Sequence, residues 1–282
     1  MNIITTIEQM KQEIRSLKKA GKTVGFVPTM GYLHEGHLKL VERAKQENDF
    51  VVLSVFVNPL QFGPSEDFAT YPRDLKRDES LAKEKGVDFL FAPTTEEMYP
   101  KEPAATVKVS KRVDVLCGKS RKGHFDGVAT VLTKLFHIVS PDRAYFGLKD
   151  AQQVAVVSAL IEDLNFPVEL VAVETVREVD GLAKSSRNIR LDEQERKEAP
   201  HLYQSLLIAR DMIEKNAYQP KEIMEKMKAY LEKNTSGEID YIDILTYPDL
   251  EPVSSFHGKI IVALAVKFKQ ARLIDNIIID LD

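Results

Sequence analysis

The sequence predicts an α/β protein: a parallel sheet with helices on both faces, followed by a smaller C-terminal α+β domain. Three observations predict it. Short apolar runs alternate with helical stripes as far as Val173. The run Phe50 to Val57 is apolar on both faces, as a buried parallel strand is. Beyond Leu191 the order changes to helices followed by strands.

The elements follow in order. Thr6-Ile7-Glu8-Gln9 reads as a capping box, and Ile7, Met10, Ile14 and Leu17 continue at helical spacing until Gly21. Thr23 to Val27 is a short apolar strand ended by Pro28, and Leu38, Val41 and Ala44 make the next helical stripe. Asp74 to Lys85 reads as a helix, and Gly86 leads into a strand over Val87 to Phe91. Val128, Val131, Leu132, Leu135 and Phe136 mark a helix, then Arg143 to Phe146 a strand. Val154, Val157, Leu160 and Ile161 mark another helix, and Val168 to Val173 another strand. This alternation argues for βαβ units, whose right-handed crossovers put helices on both faces. In the tail, Asp192 offers a helix cap with Glu195 at the third helical position. A long helical stretch follows, interrupted at Pro200 and near Pro220. Ile239 to Leu245 and Ile260 to Lys267 are strand candidates. The boundary falls within 176–190, which gives domains 1–180 and 181–282.

Composition narrows the class. Of 282 residues, 44% are hydrophobic and 29% charged, which excludes disorder, collagen and coiled coil. Lys and Arg total 39 against 43 Asp and Glu, so a net charge of −4 provides no global field for nucleic acid or acidic lipid. The single cysteine, Cys117, allows no intrachain disulfide and reads as a small buried hydrophobe. The N-terminus leads into a charged amphipathic segment, unlike a signal peptide. The longest apolar runs, such as Ile260 to Val266, are too short for a bilayer. The expectation is a soluble, cytoplasmic protein.

Two motifs carry chemistry. Pro28-Thr29-Met30-Gly31-Tyr32-Leu33-His34-Glu35-Gly36-His37 follows the first apolar strand and opens a helix. In an open α/β sheet, ligands bind beyond the carboxyl ends of strands, where helix N-termini offer amide hydrogens to phosphates. The three-residue spacing puts His34 and His37 on one helix face. Two imidazoles there can donate hydrogen bonds to phosphate oxygens that gain charge in a transition state. The bland alternative is two surface histidines and a loop glycine. A zinc protease needs histidines four apart. The second motif, Ala183-Lys184-Ser185-Ser186-Arg187-Asn188, follows the last parallel strand. Its cations and hydroxyls suit a polyphosphate, or an ordinary solvated loop.

Together the motifs resemble the HIGH and KMSKS pair of class I aminoacyl-tRNA synthetases and related nucleotidyltransferases. Within that superfamily the sequence resembles the pantothenate synthetase (pantoate–β-alanine ligase) family. The resemblance rests on Val27 through His37, Asn58-Pro59-Leu60-Gln61-Phe62, Tyr71-Pro72-Arg73 and Gly123-His124-Phe125-Asp126-Gly127-Val128. It continues through Phe146-Gly147-Leu148-Lys149-Asp150-Ala151-Gln152-Gln153 and Ser185-Ser186-Arg187-Asn188.

The resemblance implies a Rossmann-like domain with a smaller C-terminal domain, in a homodimer. It implies an ATP-dependent ligase that joins pantoate to β-alanine through a pantoyl adenylate, with magnesium, releasing AMP and pyrophosphate on the way to coenzyme A. It implies that His34 and His37 contact ATP phosphates, with His37 as proton donor. Lys149 and Arg187 complete the catalytic set as phosphate cations. Met30, Gly147, Asp150, Val176, Lys184, Ser185 and Ser186 join the ATP contacts, Val176 through its backbone. Lys184 stands where some relatives carry methionine, so its side chain is expected to be solvated without ATP. Gln61 and Gln153 match pantoate-binding glutamines, with Asn58 and Tyr71 as lesser candidates around the organic substrates. Asp150 can bind ribose or cap the next helix. His124 is given no chemistry and reads as a structural histidine. Asp78 and Glu79 lie in a plausible region for magnesium, but their segment reads equally as an exposed helix face, and no metal ligand is assigned.

Competing readings are a nucleotidyltransferase that leaves the nucleotide on its product, and a nucleotide sensor without turnover. Nucleic-acid and membrane partners are not expected, and no anticodon-reading domain is evident.

Overall fold

The strands of the first sheet all run parallel. They are β1 (Asn2–Ile4), β2 (Val24–Thr29), β3 (Phe50–Val55), β4 (Phe89–Phe91), β5 (Arg143–Gly147) and β6 (Glu169–Val173), in the spatial order β1-β4-β3-β2-β5-β6. This is a computed structural model, which describes every residue except 65, 67, 216, 217 and 282. The connecting helices are α1 (Ile7–Lys19), α2 (Glu35–Glu47), α3 (Leu75–Glu84), α4 (Thr95–Met98), α5 (Leu116–Ser120), α6 (His124–Val139) and α7 (Ala151–Asp163).

Consecutive strand residues point to opposite faces. In β2, Phe26 packs edge-on against Phe136 of α6, with ring centroids 6.5 Å apart. Its neighbour Val27 joins Leu40, Val41 and Ala44 of α2. Helices therefore cover both faces, as the sequence predicted. The buried stripe of α2 runs through Leu40, Val41 and Ala44; Leu38, expected in it, is only half-buried. Thr6 caps α1 by accepting from the Gln9 amide, and Gly21 follows in the left-handed region at φ +69°.

The strand order reverses between β2 and β5: the chain builds toward β3 and β4 on one side and toward β6 on the other. Ligands of open parallel sheets bind outside the carboxyl ends at such a switch point. Thr29 and Gly147 are those ends.

The chain divides into two compact units. The first takes residues 1–110, 121–148 and 156–174; the second takes 111–120, 149–155 and everything from Thr175. The contacts thus interleave the chain, where the sequence was cut once after residue 180.

In the second unit, α8 (Glu193–Glu198), α9 (His201–Glu214) and α10 (Pro220–Asn234) precede an antiparallel sheet. Its strands are β7 (Glu238–Thr246), β8 (Lys259–Lys267) and β9 (Arg272–Asp280), in the order β7-β8-β9. The Asp192–Glu195 capping box closes in both directions. Ile260, Val262, Leu264 and Val266 of β8 face the core with Leu206 of α9 and Met227 of α10. Ile261 and Ala263 face a second cluster with Leu116, Ala151 and Ala155. Burial on both sides explains the unbroken apolar run of β8. It also explains why 111–120 and 149–155 belong to this unit. No described helix is long and apolar enough to cross a membrane.

Candidate active site

In the first unit the loop after β2 is held by a carboxylate. Gly31 and Tyr32 both adopt left-handed backbone, at φ +83° and +51°. A Cβ at Gly31 would lie 2.9 Å from Asp78 Oδ2, so only glycine allows the approach. The Tyr32 and Leu33 amides donate to Asp78 Oδ2 and Oδ1 at 2.8 and 2.7 Å. Asp78 is 1% exposed, which corrects its reading as part of an exposed face. Burial pushes its carboxyl above the ordinary range, against the pull of the two amides.

The turn delivers His34 to the start of α2. His34 is the N-cap, with extended backbone at φ −140°, so the two histidines do not share a helix face as expected. They meet because they cap each other's ends of the turn. The Gly36 amide donates to His34 Nδ1 at 3.1 Å, and the His34 amide donates to His37 Nδ1 at 3.4 Å. The ring centroids lie 4.0 Å apart. A ring nitrogen that accepts from an amide carries no proton, so each neutral imidazole bears its hydrogen on Nε2.

Beyond β3, Asn58 caps the single 3₁₀ turn Pro59–Gln61. Gln61 Nε2 donates to Met30 Sδ at 3.3 Å, and its Oε1 accepts from Asn58 Nδ2 at 3.2 Å. Asn58 also donates to the Gly127 carbonyl and accepts from the Tyr99 hydroxyl, at 3.1 and 3.0 Å. Its buried amide is therefore engaged with the protein, which makes it a brace for Gln61. Burial pushes the Tyr99 hydroxyl up to about 12, keeping it a donor. Tyr71 is buried, its ring 6.0 Å from that of Phe62.

The second unit holds the remaining candidates. Lys149 Nζ lies 3.5 Å from Asp150, and the Lys149 carbonyl accepts from Asn276 Nδ2 at 2.9 Å. Gln152 is consumed structurally: it accepts from the Cys117 amide and donates to the Arg112 and Val115 carbonyls. Gln153, the next residue of α7, is half-buried. Cys117 is buried, as expected. The Val176 carbonyl accepts from the Lys184 amide at 2.9 Å. Lys184 is not solvated as expected, since it pairs with Glu178 at 2.8 Å. Ser185 caps the 3₁₀ turn Ser186–Arg190 by accepting from the Arg187 amide at 3.2 Å, and Ser186 is buried.

This unit contains the residues that sequence reasoning missed. Arg177 forks onto Asp275 at 2.7 and 2.9 Å and lies 3.7 Å from the Tyr203 ring centroid. Asp275 and Asn276 sit in β9, which was not foreseen. Asp78 had a legible signal: it precedes the buried Ala82 by four, on the same face of α3.

No group of three His, Cys, Asp or Glu among the described residues could hold a metal ion.

Comparison with known proteins shows what the whole chain is similar to. The pantoate-beta-alanine ligase family profile matches residues 2–278. The pantothenate synthetase of Geobacillus sp. (strain WCH70) is 62% identical over 281 residues, covering 100% of both chains. The crystal structure of pantothenate synthetase from Thermus thermophilus has a TM-score of 0.93 at 48% identity, over 98% of this chain and 99% of that one. The pantoate-beta-alanine ligase of Francisella tularensis, complexed with beta-gamma ATP and beta-alanine, has a TM-score of 0.81 at 34% identity. It covers 98% of this chain and 97% of its own.

Proposed function

The chain belongs to the pantoate–β-alanine ligase family and is an enzyme of that kind, and we propose that it makes pantothenate through a pantoyl adenylate. Full-length similarity supports the overall reaction, and the Francisella relative was solved with beta-gamma ATP and beta-alanine. In the first step the pantoate carboxylate attacks the α-phosphorus of ATP and pyrophosphate leaves. In the second the β-alanine amine attacks the acyl carbon and AMP leaves. Neither step needs a protein nucleophile. The protein's task is alignment and stabilisation of charge on phosphate oxygens.

The observation that carries this reading is the reciprocal cap between His34 and His37. It ties both Nδ1 atoms to the backbone and leaves Nε2–H as the donor on each neutral ring. His37 then acts by hydrogen bonding to a phosphate oxygen as charge grows there. Met30 and Gly147 are assigned to ATP in the first unit. In the second, ATP contacts are Lys149, Asp150, Val176, Lys184, Ser185, Ser186 and Arg187, with Lys149 and Arg187 as phosphate cations. Gln61 and Gln153 are assigned to pantoate, since an amide matches both hydroxyl and carboxylate. Magnesium enters with ATP, because it rides on substrate phosphates with few protein carboxylates, and Asp78 is already occupied by amides. A homodimer, a cytoplasmic location and supply of a coenzyme A precursor complete the proposal.

The test is product analysis with Mg-ATP, pantoate and β-alanine, each omitted in turn. ATP with pantoate should release pyrophosphate in one enzyme equivalent. AMP and pantothenate should appear together only when β-alanine is added. A stable nucleotidylated product, or ATP binding without turnover, would overturn the reading.

A further inference from the structure

We infer that His124 is a positioning residue that fixes the backbone of Gln61, an inference that rests on the proposed role of Gln61 in holding pantoate. His124 opens α6 and is 8% exposed. Its Nε2 lies 2.9 Å from Arg121 Nη1, and its Nδ1 lies 2.7 Å from the Gln61 carbonyl oxygen. A guanidinium nitrogen only donates and a carbonyl oxygen only accepts. The ring therefore accepts at Nε2 and donates from Nδ1–H. The other neutral tautomer would set lone pair against lone pair at Gln61. An imidazolium would set N–H against N–H at Arg121.

Arg121 is itself anchored. Its Nε and Nη2 donate to Glu66 Oε1 and Oε2 at 3.0 and 2.5 Å. Burial works against the Glu66 charge, yet the Arg121 fork holds its carboxyl below the ordinary value. Donation thus runs in one direction, from Arg121 to His124 to Gln61. The tautomer of the buried ring is set by a group that cannot change its protonation.

The turn that carries Gln61 lies directly on the start of α6. A Cβ at Gly127 would come within 2.3 Å of the Leu60 carbonyl oxygen and 2.6 Å of Gln61 Cα. Asn58 reaches across to the Gly127 carbonyl at 3.1 Å. Among these contacts, the His124 bond holds the Gln61 carbonyl itself. It can be edited without filling the space that Gly127 keeps open.

The test separates the two ring nitrogens. Asparagine places an amide N–H near the position of Nδ1, whereas glutamine places a carbonyl oxygen near that of Nε2. His124→Asn should hold the pantoate KM within about twofold of wild type, because the donor to Gln61 survives. His124→Gln should raise it about tenfold, leaving a buried carbonyl unpaired. The ATP KM should stay within about twofold in both, since the effect passes through Gln61 alone. Gln61→Ala is measured alongside. If it leaves the pantoate KM unchanged, the reading of Gln61 fails and takes this inference with it. If it raises that KM while His124→Gln does not, the positioning role alone is overturned. The same holds if His124→Asn loses as much as His124→Gln. Should His124→Gln not fold, His124→Asn decides: a wild-type pantoate KM supports the donor role and a raised one overturns it.

Discussion

The two motifs proposed to face phosphate are held in place by different means. The loop from Met30 to His37 is held mainly through its backbone amides and its own histidines. The histidines cap each other, Asp78 binds the Tyr32 and Leu33 amides, Thr29 Oγ1 accepts from the Gly31 amide, and Gln61 reaches Met30 Sδ. The stretch from Val176 to Asn188 and the catalytic candidate Lys149 lean instead on β9, about a hundred residues away in sequence. Arg177 grips Asp275, and Asn276 grips the Lys149 carbonyl. Amide-to-carboxylate bonds in a left-handed turn fix a short loop at atomic precision. A buried ion pair fixes a whole strand, and its loss unsettles everything tied to that strand. Damage to the first support should therefore appear in catalysis, and damage to the second in stability.

The largest effect is expected at Arg177. Asp275 is almost fully buried, and burial pushes its carboxyl up while the Arg177 fork opposes that shift. Removing one partner of a buried pair leaves an uncompensated charge, at about 3–5 kcal/mol. Arg177→Ala should lower the melting temperature by roughly 10 °C, taking about 2–4 °C per kcal/mol for a chain of this size. The paired change Arg177→Met with Asp275→Leu should recover much of that loss, because the stranded charge is gone. Thermal unfolding followed by circular dichroism decides. If Arg177→Ala melts within about 2 °C of wild type, the ion pair is not the support described here.

A smaller effect on stability, and a clearer one on turnover, is expected at Asp78. Asparagine keeps the shape but turns one acceptor into a donor that faces an amide N–H. The cost is about 1–3 kcal/mol, for an amide left unpaired. Because the displaced turn carries His34, Asp78→Asn should slow pyrophosphate release about tenfold, the rate equivalent of roughly 1.4 kcal/mol in the barrier. Single-turnover kinetics with ATP and pantoate measures it. Wild-type turnover with a lowered melting temperature would make Asp78 a stability residue like Arg177 and erase the contrast between the two supports.

The same contrast explains what could be read from sequence. The parallel sheet was legible because βαβ units repeat a local pattern, and because buried strands such as Phe50 to Val55 are apolar on both faces except at Ser54. The cap at Asp192 and the breaks at Pro200 and Pro220 were legible for the same local reason. β1 was missed because three residues carry no periodicity. β9 was missed because Asp275 and Asn276 interrupt it, and both residue types are depleted in strands. They are there for Arg177 and the Lys149 carbonyl, partners that no local window contains. In the candidate site, the two motifs could be picked out of the sequence and their local geometry could not. The spacing of His34 and His37 suggested a shared helix face. The rings meet through a cap, because the turn held by Asp78 leaves His34 outside the helix. Asn58 and Lys184 are partnered by Tyr99 and Glu178, which sequence spacing did not bring together.

The smallest effect isolates what burial adds to a carboxylate that accepts a backbone amide. Asp49 makes the same kind of bond as Asp78, but at the amino end of β2 and in water. The Thr23 amide and hydroxyl both donate to its Oδ2 at 2.9 Å, and Lys22 lies 3.2 Å from Oδ1. The Thr23 amide first, then the hydroxyl and Lys22, hold its carboxyl down to about 2, against an ordinary 3.8. Asp78, with two amides, is shifted up. Between these two carboxylates the sign of the shift follows solvent access: burial outweighs two amides at Asp78, and the donors win at exposed Asp49. For Asp49 the folded value lies below the unfolded one, so its contribution is present above 3.8 and is lost as pH falls through about 2. Asp49→Asn should be slightly less stable than wild type at neutral pH, with the gap closing across that window. Urea unfolding at a series of pH values measures it. A gap that stays constant down to pH 2 would mean that the Thr23 bonds survive protonation, and that exposure does not separate the two carboxylates.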